Sequence, residues 1–450
     1  MSNQHATVIR NATILSMDRV IGDLPSGDLL IEGGVIAAVG TDLDAPADAK
    51  VVDASGSIVV PGFIDTHRHM WEAILRGYAP DHTFGDYMSH VLGVAGPALT
   101  PDELHDGELL SARAGLAAGV TTIQDISNIQ DSPAHTDAIV SALQDSGLRA
   151  VLAYGLSFPT MTSTGASLPD DVRRVRSRLL PRSVDLVTMA LDAEGGDDVS
   201  EQHNAALARE LDLRIARHFS ERLSARHLAD LGALVPGTTF IHGNGLDDEE
   251  LRVIADGGGN ISIAPAIEMV MGHGFPVIGP ATRHPDLLVS LSSDVEVTMP
   301  GDMFTQMRAA LASGRHHEHT AALADRPTLG VREVLRMATI DGARALGLDG
   351  RTGSLTPGKE ADLVVLDAER PDAAPVYDPY STVVLQMDRS HVDTVYVRGV
   401  PRVQGGVLVG DDTDLLERAA HTADRLVRDG VVPAPLRRAR LETAVGGGGR

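Results

Sequence analysis

The sequence predicts a (β/α)8 TIM barrel beside a small β-sandwich built from both ends of the chain. Three observations predict it. The middle of the chain alternates strand and helix patterns through eight units over roughly 290 residues. The two ends read instead as short strands broken by glycine turns. Histidines and acids recur where the middle strands end, the place where such a barrel gathers its functional groups.

At the N-terminal end, Thr7-Val8-Ile9-Arg10, Leu29-Leu30-Ile31-Glu32 and Val35-Ile36-Ala37-Ala38-Val39 are runs of strand-forming residues separated by turns such as Glu32-Gly33-Gly34. They assign residues 1–60 to one part of the sandwich. Eight candidate strands follow, at 62–67, 120–126, 149–156, 184–193, 214–218, 238–242, 260–264 and 287–292. Amphipathic stretches such as 101–118 and 247–256 lie between them, and Gly119, Gly147 and Gly232 fall where helices should end. Residues 61–350 form the expected barrel, with a doubly wound open sheet as the competing arrangement. Strand character returns in Ala361-Asp362-Leu363-Val364-Val365-Leu366 and in Val392-Asp393-Thr394-Val395-Tyr396-Val397, which assigns 351–410 to the other part of the sandwich. Residues 411–450 hold an amphipathic helix at about 414–429 and a tail, Gly446-Gly447-Gly448-Gly449-Arg450, expected to be disordered.

Composition narrows the function. With 450 residues and 43% hydrophobic content the chain can bury a large core. It has no run of about 18 apolar residues that would span a membrane. Residues 1–5 carry no basic patch leading into an apolar run, so a cytoplasmic protein is expected. The absence of cysteine excludes disulfides and thiolate ligands, so a metal site would consist of imidazoles and carboxylates. A net charge of -24 disfavours nucleic acid and anionic membrane as partners and is compatible with a neutral or cationic small molecule. A homo-oligomer is compatible with all of this.

His67-Arg68-His69 closes the first barrel strand. Residues two apart on a strand face the same side, so two imidazoles emerge together and supply half of a tetrahedral metal site. Downstream, His218 ends the fifth strand with Glu221 three residues later, His242 ends the sixth, and Asp294 follows the eighth. A lone histidine at a strand end is usually a hydrogen-bonded core residue, and a lone aspartate there is usually a turn or cap. Their joint placement on strands whose C-terminal ends converge on one mouth favours a shared site.

These stretches resemble the amidohydrolase superfamily, in its cytosine deaminase, guanine deaminase and s-triazine hydrolase branch. The resemblance rests on Pro61-Gly62-Phe63-Ile64-Asp65-Thr66-His67-Arg68-His69, on His218 to Glu221, and on His242-Gly243-Asn244-Gly245-Leu246 with Ser293-Asp294. It extends to Thr339-Ile340-Asp341-Gly342-Ala343-Arg344 and Gly353-Ser354-Leu355-Thr356-Pro357-Gly358-Lys359. It implies a divalent metal, Zn²⁺ or alternatively Fe²⁺, held by His67, His69, His218 and Asp294. It also implies catalytic roles for Glu221, His242 and Asp294, and attack by metal-activated hydroxide on a nitrogen heterocycle, with an aminohydrolase as the leading activity. Hydrolysis of a cyclic amide or of a ring carbon–halogen bond would use the same site, and a scaffold that had lost its chemistry is the non-enzymatic alternative. Many relatives bridge two metals with a carboxylated lysine. The only lysines here, Lys50 and Lys359, lie outside the barrel, so one ion is expected, with Glu194 as an alternative bridging group.

Three further residues are candidate substrate contacts. Glu72 stands where relatives place a glutamine, and Glu268 in Pro265-Ala266-Ile267-Glu268 stands where they place an asparagine. Trp71, the only tryptophan, is a candidate stacking wall, with packing as its plainer role. An ionised carboxylate accepts hydrogen bonds and donates none, so Glu72 and Glu268 would select amino or ring N–H groups, unless an arginine pairs with them. The tract His316-His317-Glu318-His319 is expected in an exposed loop near the mouth, with a second metal site as the alternative.

Overall fold

β-Branched runs become strands at both chain ends, and the ends pair with each other. The computed structural model describes residues 6–163, 165–219, 224–321 and 329–433. Glu221 and the glycine-rich tail lie outside the described residues. Five strands open the chain: β1 (Thr7–Leu15), β2 (Asp23–Glu32), β3 (Val35–Gly40), β4 (Lys50–Asp53) and β5 (Ser57–Pro61). Eight follow: β6 (Phe63–Arg68), β7 (Val120–Asn128), β8 (Arg149–Gly155), β9 (Val187–Asp192), β10 (Ile215–His218), β11 (Thr239–Ile241), β12 (Asn260–Ile263) and β13 (Leu288–Leu291). The last four are β14 (Leu363–Asp367), β15 (Val392–Val397), β16 (Val400–Gln404) and β17 (Val407–Leu408).

The eight middle strands pair in parallel and in sequence order, β6 through β13. A doubly wound sheet would reverse its strand order at a switch point, and this one never does. The seam between β13 and β6 is bridged beyond their ends. Asp294 N–H donates to the His67 carbonyl at 3.0 Å, and His69 N–H donates to the Asp294 carbonyl at 2.9 Å. The structure is therefore the (β/α)8 barrel. Helices cover the outside of its strands, so β6 and β7 are buried at every position. Inside, Ile64, Ile126, Val151, Ala153, Ala190, Ala216 and Ile241 pack against Ala343, Leu346 and Leu348, which plug one end.

Local signals explain the helix limits. Thr100 caps the helix Pro101–Ala117, and the Glu103 carboxylate returns a bond from the Thr100 N–H at 2.9 Å, a reciprocal box. The helix Pro133–Ser146 stops at Gly147, whose φ of 69° suits glycine far better than any other residue. The C-terminal helix, Thr413–Arg428, falls within a residue of its expected place. No helix among the described residues is long and apolar enough to cross a membrane.

Both termini share one mixed sheet. β5 lies between β1 and β14, with Pro61 opposite Leu363, so the strand leading into the barrel is also the one that ties the chain ends together. Arg149, the first residue of β8, fastens this sheet to the barrel. Its guanidinium donates to Asp362 at 2.7 Å and to Glu360 at 2.5 Å, and Asp362 is fully buried. Breaking such a pair strands a buried charge. Arg149→Met is expected to lower the unfolding free energy by about 3–5 kcal/mol in urea titration, whereas an exposed pair such as Arg173–Asp170 should change it by less than about 1 kcal/mol.

The histidine tract differs from its expected loop. His316, His317 and His319 lie within the helix Met303–Thr320, because the Met-, Ala- and Leu-rich segment before them continues its helical spacing. His317 pairs with Arg283 at 2.9 Å, and the tract belongs to no cluster of ligand atoms among the described residues.

Candidate active site

The ends of β6, β10 and β11 and the turn after β13 bring His67, His69, His218, His242 and Asp294 together. The Nε2 atoms of His67 and His69 lie 3.2 Å apart. Asp294 Oδ1 is 3.4 Å from His67 Nε2 and 3.7 Å from His69 Nε2, and its Oδ2 is 3.7 Å from His242 Nε2. The His67 and His218 rings are 5.1 Å apart, centre to centre. Ligand atoms of His67, His69 and Asp294 lie within 4.8 Å of one another, as do those of His67, His218 and His242.

Backbone geometry helps to aim these groups. His242 and Asp294 have φ of 69° and 63°, the left-handed region that residues with a Cβ seldom adopt. Such strain persists only where the surroundings enforce it. At Asp294 the enforcing contacts are the two seam hydrogen bonds, together with a buried clamp behind them. There Arg68, on the opposite side of β6 from the histidines, donates to Asp65 at 2.8 Å, to the Ser293 hydroxyl at 3.0 Å and to the Gly301 carbonyl at 2.7 Å.

The donor set fits a divalent ion. His69 Nδ1–H donates to the Ile126 carbonyl and to Asn128 Oδ1, each at 3.0 Å, and His218 Nδ1–H donates to Glu194 at 2.7 Å. Each of these bonds places the proton on Nδ1 and leaves an Nε2 lone pair turned toward the cluster, the arrangement that outer partners impose on metal-binding histidines. His67 and His69 can share one proton across the 3.2 Å between their Nε2 atoms or, with both atoms deprotonated, turn two lone pairs on one cation. Burial, reinforced by the neighbouring imidazoles, holds His67 well below the usual histidine range and His69 down at about 3, so both rings stay neutral and able to coordinate. Burial would also lower His218, but the Glu194 charge and hydrogen bond lift it to about 9. Near neutral pH His218 therefore carries both ring protons until a metal ion displaces the one on Nε2. Three imidazole nitrogens and a carboxylate oxygen, without thiolate, suit Zn²⁺ or Fe²⁺. Glu194 uses one carboxylate oxygen for both the His218 ring and the His218 N–H, at 2.7 and 2.8 Å, so it acts as a partner to a candidate ligand.

A cavity of about 400 Å³ opens on this cluster. His69, His218, His242 and Asp294 line its chemical end, with Asn128, Asp192 and Glu194 beside them. Its remaining wall is largely apolar and includes Phe84, Met88, Leu92, Met161, Phe219 and Met271. Such a volume is in the range of small-molecule sites, roughly 300–1,000 Å³.

Trp71, Glu72 and Glu268, the three expected substrate contacts, are not among the residues that line this cavity. Trp71 is fully buried and donates its indole N–H to Asn128 at 3.0 Å, so it braces the residue that also orients His69. Glu72 is fully buried and accepts the Tyr87 hydroxyl at 2.7 Å; no arginine pairs with it among the described residues. Glu268 is fully buried and accepts from His242 Nδ1 at 3.1 Å, from Asn244 at 3.0 Å and from the Ala264 N–H at 2.9 Å. Its carboxylate therefore fixes the ring of His242. Trp71 and Glu72 lie on the turn Met70–Leu75, every residue of which is buried, and Glu268 lies on the helix Pro265–Met271. Glu268→Ala should lower kcat/KM by about 10–100-fold, the usual cost of removing such a partner, with metal content unchanged. A metal-replete variant with full activity would exclude this role.

Asn128, Glu194 and Tyr87 complete the site's surroundings. Asn128 is the last residue of β7 and Glu194 lies two residues past the end of β9, and a polar residue at a barrel strand end is the available sequence signal. Tyr87 has none, since it reaches the cavity only through a turn and a short helix.

The comparisons with known proteins agree with this fold. Residues 58–402 match the model of the amidohydrolase family. A 5'-deoxyadenosine deaminase from Methanosarcina mazei is 29% identical over 439 residues, covering 93% of this chain and 98% of the relative. Among solved structures, an adenosine deaminase from Xanthomonas campestris with bound zinc superposes with a TM-score of 0.81 at 22% identity, covering 94% of this chain and 98% of that one. An atrazine chlorohydrolase from Arthrobacter aurescens TC1 complexed with zinc gives 0.81 at 23%, covering 92% and 99%.

Proposed function

Since the chain belongs to the amidohydrolase family and is a metal-dependent hydrolase of non-peptide carbon–nitrogen bonds, we propose that it deaminates an aminopurine nucleoside of the 5'-deoxyadenosine type. The observation that carries this reading is the convergence of four histidines and Asp294 at the end of a cavity sized for a small molecule. His67, His69, His218 and Asp294 would hold the ion, Zn²⁺ by preference, in a cytoplasmic enzyme. When bound, the ion lowers the pKa of water from 15.7 toward roughly 7 and so supplies a nucleophile at neutral pH.

The side chains divide the remaining work. Asp294 accepts a proton from the attacking water; burial raises its carboxyl above the usual range, which makes it a better acceptor than an exposed aspartate. His242, its ring fixed by Glu268, stabilises charge that develops at the attacked carbon. Glu221, three residues beyond His218, carries protons to the ring nitrogen and to the departing amine. One C–O bond forms and one C–N bond breaks. Of the two water protons, one ends on the ring nitrogen and the other leaves in ammonia.

The test is ammonia release from a panel of 5'-deoxyadenosine, adenosine, cytosine, guanine and an amino-substituted s-triazine. The reading expects 5'-deoxyadenosine to give the highest kcat/KM. Release from the triazine or cytosine alone would replace the proposed substrate, and chloride release from a chlorotriazine without ammonia would replace the reaction.

A further inference from the structure

A fifth histidine reaches the cluster and has no role in the mechanism above. His273 follows the helix Pro265–Met271 and stands between Gly272 and Gly274, whose φ of 77° and 133° are open to few residues other than glycine. Its N–H donates to the Glu268 carbonyl at 2.9 Å, so the residue whose carboxylate holds His242 also anchors His273. Asn244 donates to the Glu268 carboxylate and to the Phe275 carbonyl, at 3.0 Å each, which ties down the same loop. The His273 ring lines the cavity and stands edge-on to the His242 ring, 4.7 Å between centres. Its Nε2 atom is buried and has no hydrogen-bond partner.

Ligand atoms of His242, His273 and Asp294 lie within 4.8 Å of one another, as those of His67, His69 and Asp294 do. Asp294 is common to the two groups, and its oxygens divide between them. Oδ1 lies 3.4 and 3.7 Å from the Nε2 atoms of His67 and His69, and Oδ2 lies 3.7 Å from His242 Nε2. His242 is not needed by the catalytic ion, which has four candidate ligands without it. Resting on that proposed catalytic site, we infer that His242, His273 and Asp294 form a second, weaker divalent-cation site, and that an ion bound there inhibits the enzyme. Two imidazoles and a carboxylate, with one position left for water, make an open set of the kind zinc accepts. The site is the weaker one because it offers three protein ligands instead of four and feels the charge of the first ion across a shared carboxylate. It inhibits because it takes two groups that the reaction needs. Asp294 Oδ2, once coordinated, accepts no proton from water. His242 Nε2, once coordinated, no longer serves the attacked carbon.

The test uses Zn²⁺ as the probe on the wild type, His273→Ala and His273→Gln, each stripped of metal and titrated by calorimetry, with bound metal measured at fixed free Zn²⁺. The wild type should bind one ion tightly and a second more weakly. Both variants should keep the first ion and bind the second more than about 100-fold more weakly, since loss of an outer partner alone costs roughly 10–100-fold. Ammonia release from 5'-deoxyadenosine by the wild type should peak with the first ion. It should then fall about tenfold when free Zn²⁺ reaches about ten times the Kd of the second ion, while each variant stays within about twofold of its own one-ion activity. A single ion in the wild type, or a second ion that both variants retain unchanged, would overturn the site. Two ions with undiminished activity would overturn its inhibitory role. If His273→Ala also loses the first ion because the loop collapses, His273→Gln, which keeps the space filled, decides the question. Failure of the deaminase reading looks different. Wild-type protein that releases no ammonia from any nucleoside would overturn that reading, while a second ion lost on changing His273 would still support the site.

Discussion

Asp294→Asn is expected to reduce turnover by roughly 10²–10⁴-fold or more, and to do so with reduced metal occupancy. The aspartate combines two duties. Its oxygens lie 3.4 and 3.7 Å from the nitrogens of three histidines, where a negative charge offsets that of a divalent ion. It is also the base that accepts the water proton in the proposed reaction. Asparagine keeps the shape and the backbone seam but removes the charge and the basicity. Because the left-handed backbone at Asp294 is easier for asparagine than for most residues, the fold should survive the change. Metal analysis by mass spectrometry and steady-state kinetics check both halves. An Asp294→Asn enzyme with full metal content and full activity would remove the residue from the site.

Glu221→Gln should lose about 10²–10⁴ in kcat, the usual worth of a positioned acid–base group, while keeping its metal. Glu221 follows His218 by three residues in the sequence and lies outside the described residues; Phe219, two residues before it, lines the cavity. Glutamine preserves the hydrogen-bonding outline and abolishes proton transfer. The two variants therefore separate: Asp294→Asn affects metal and rate together, Glu221→Gln the rate alone. Unchanged activity in Glu221→Gln would assign proton transfer to another group.

The barrel was legible because parallel strands buried on both faces read as apolar runs, and the eight segments found this way correspond to β6 through β13. The histidines were legible because strand ends in this fold converge, so a linear map becomes a spatial one. What lay beyond reach was orientation on short helical turns. Glu72 and Trp71 share the turn Met70–Leu75 with four other buried residues, and Glu268 is buried on the helix Pro265–Met271, so closeness in sequence to the candidate ligands does not tell a cavity wall from the packing behind it. The pairing of Glu194, expected only as an alternative bridging group, and of Asn128 with their histidines was not legible. Glu194 meets His218 and Asn128 meets His69 across strands that are far apart in sequence, so no local spacing announces the pairs.

Reconstitution of metal-stripped protein by titration with Zn²⁺, followed by ammonia release from 5'-deoxyadenosine, tests the central claim most directly. The stripped protein should be inactive, and activity should rise in proportion to added ion and level off at about one equivalent per chain, as four ligands around a single ion require. Activity that persists in the stripped protein, or that rises only with a second equivalent, would contradict a hydrolase built on one ion held by His67, His69, His218 and Asp294.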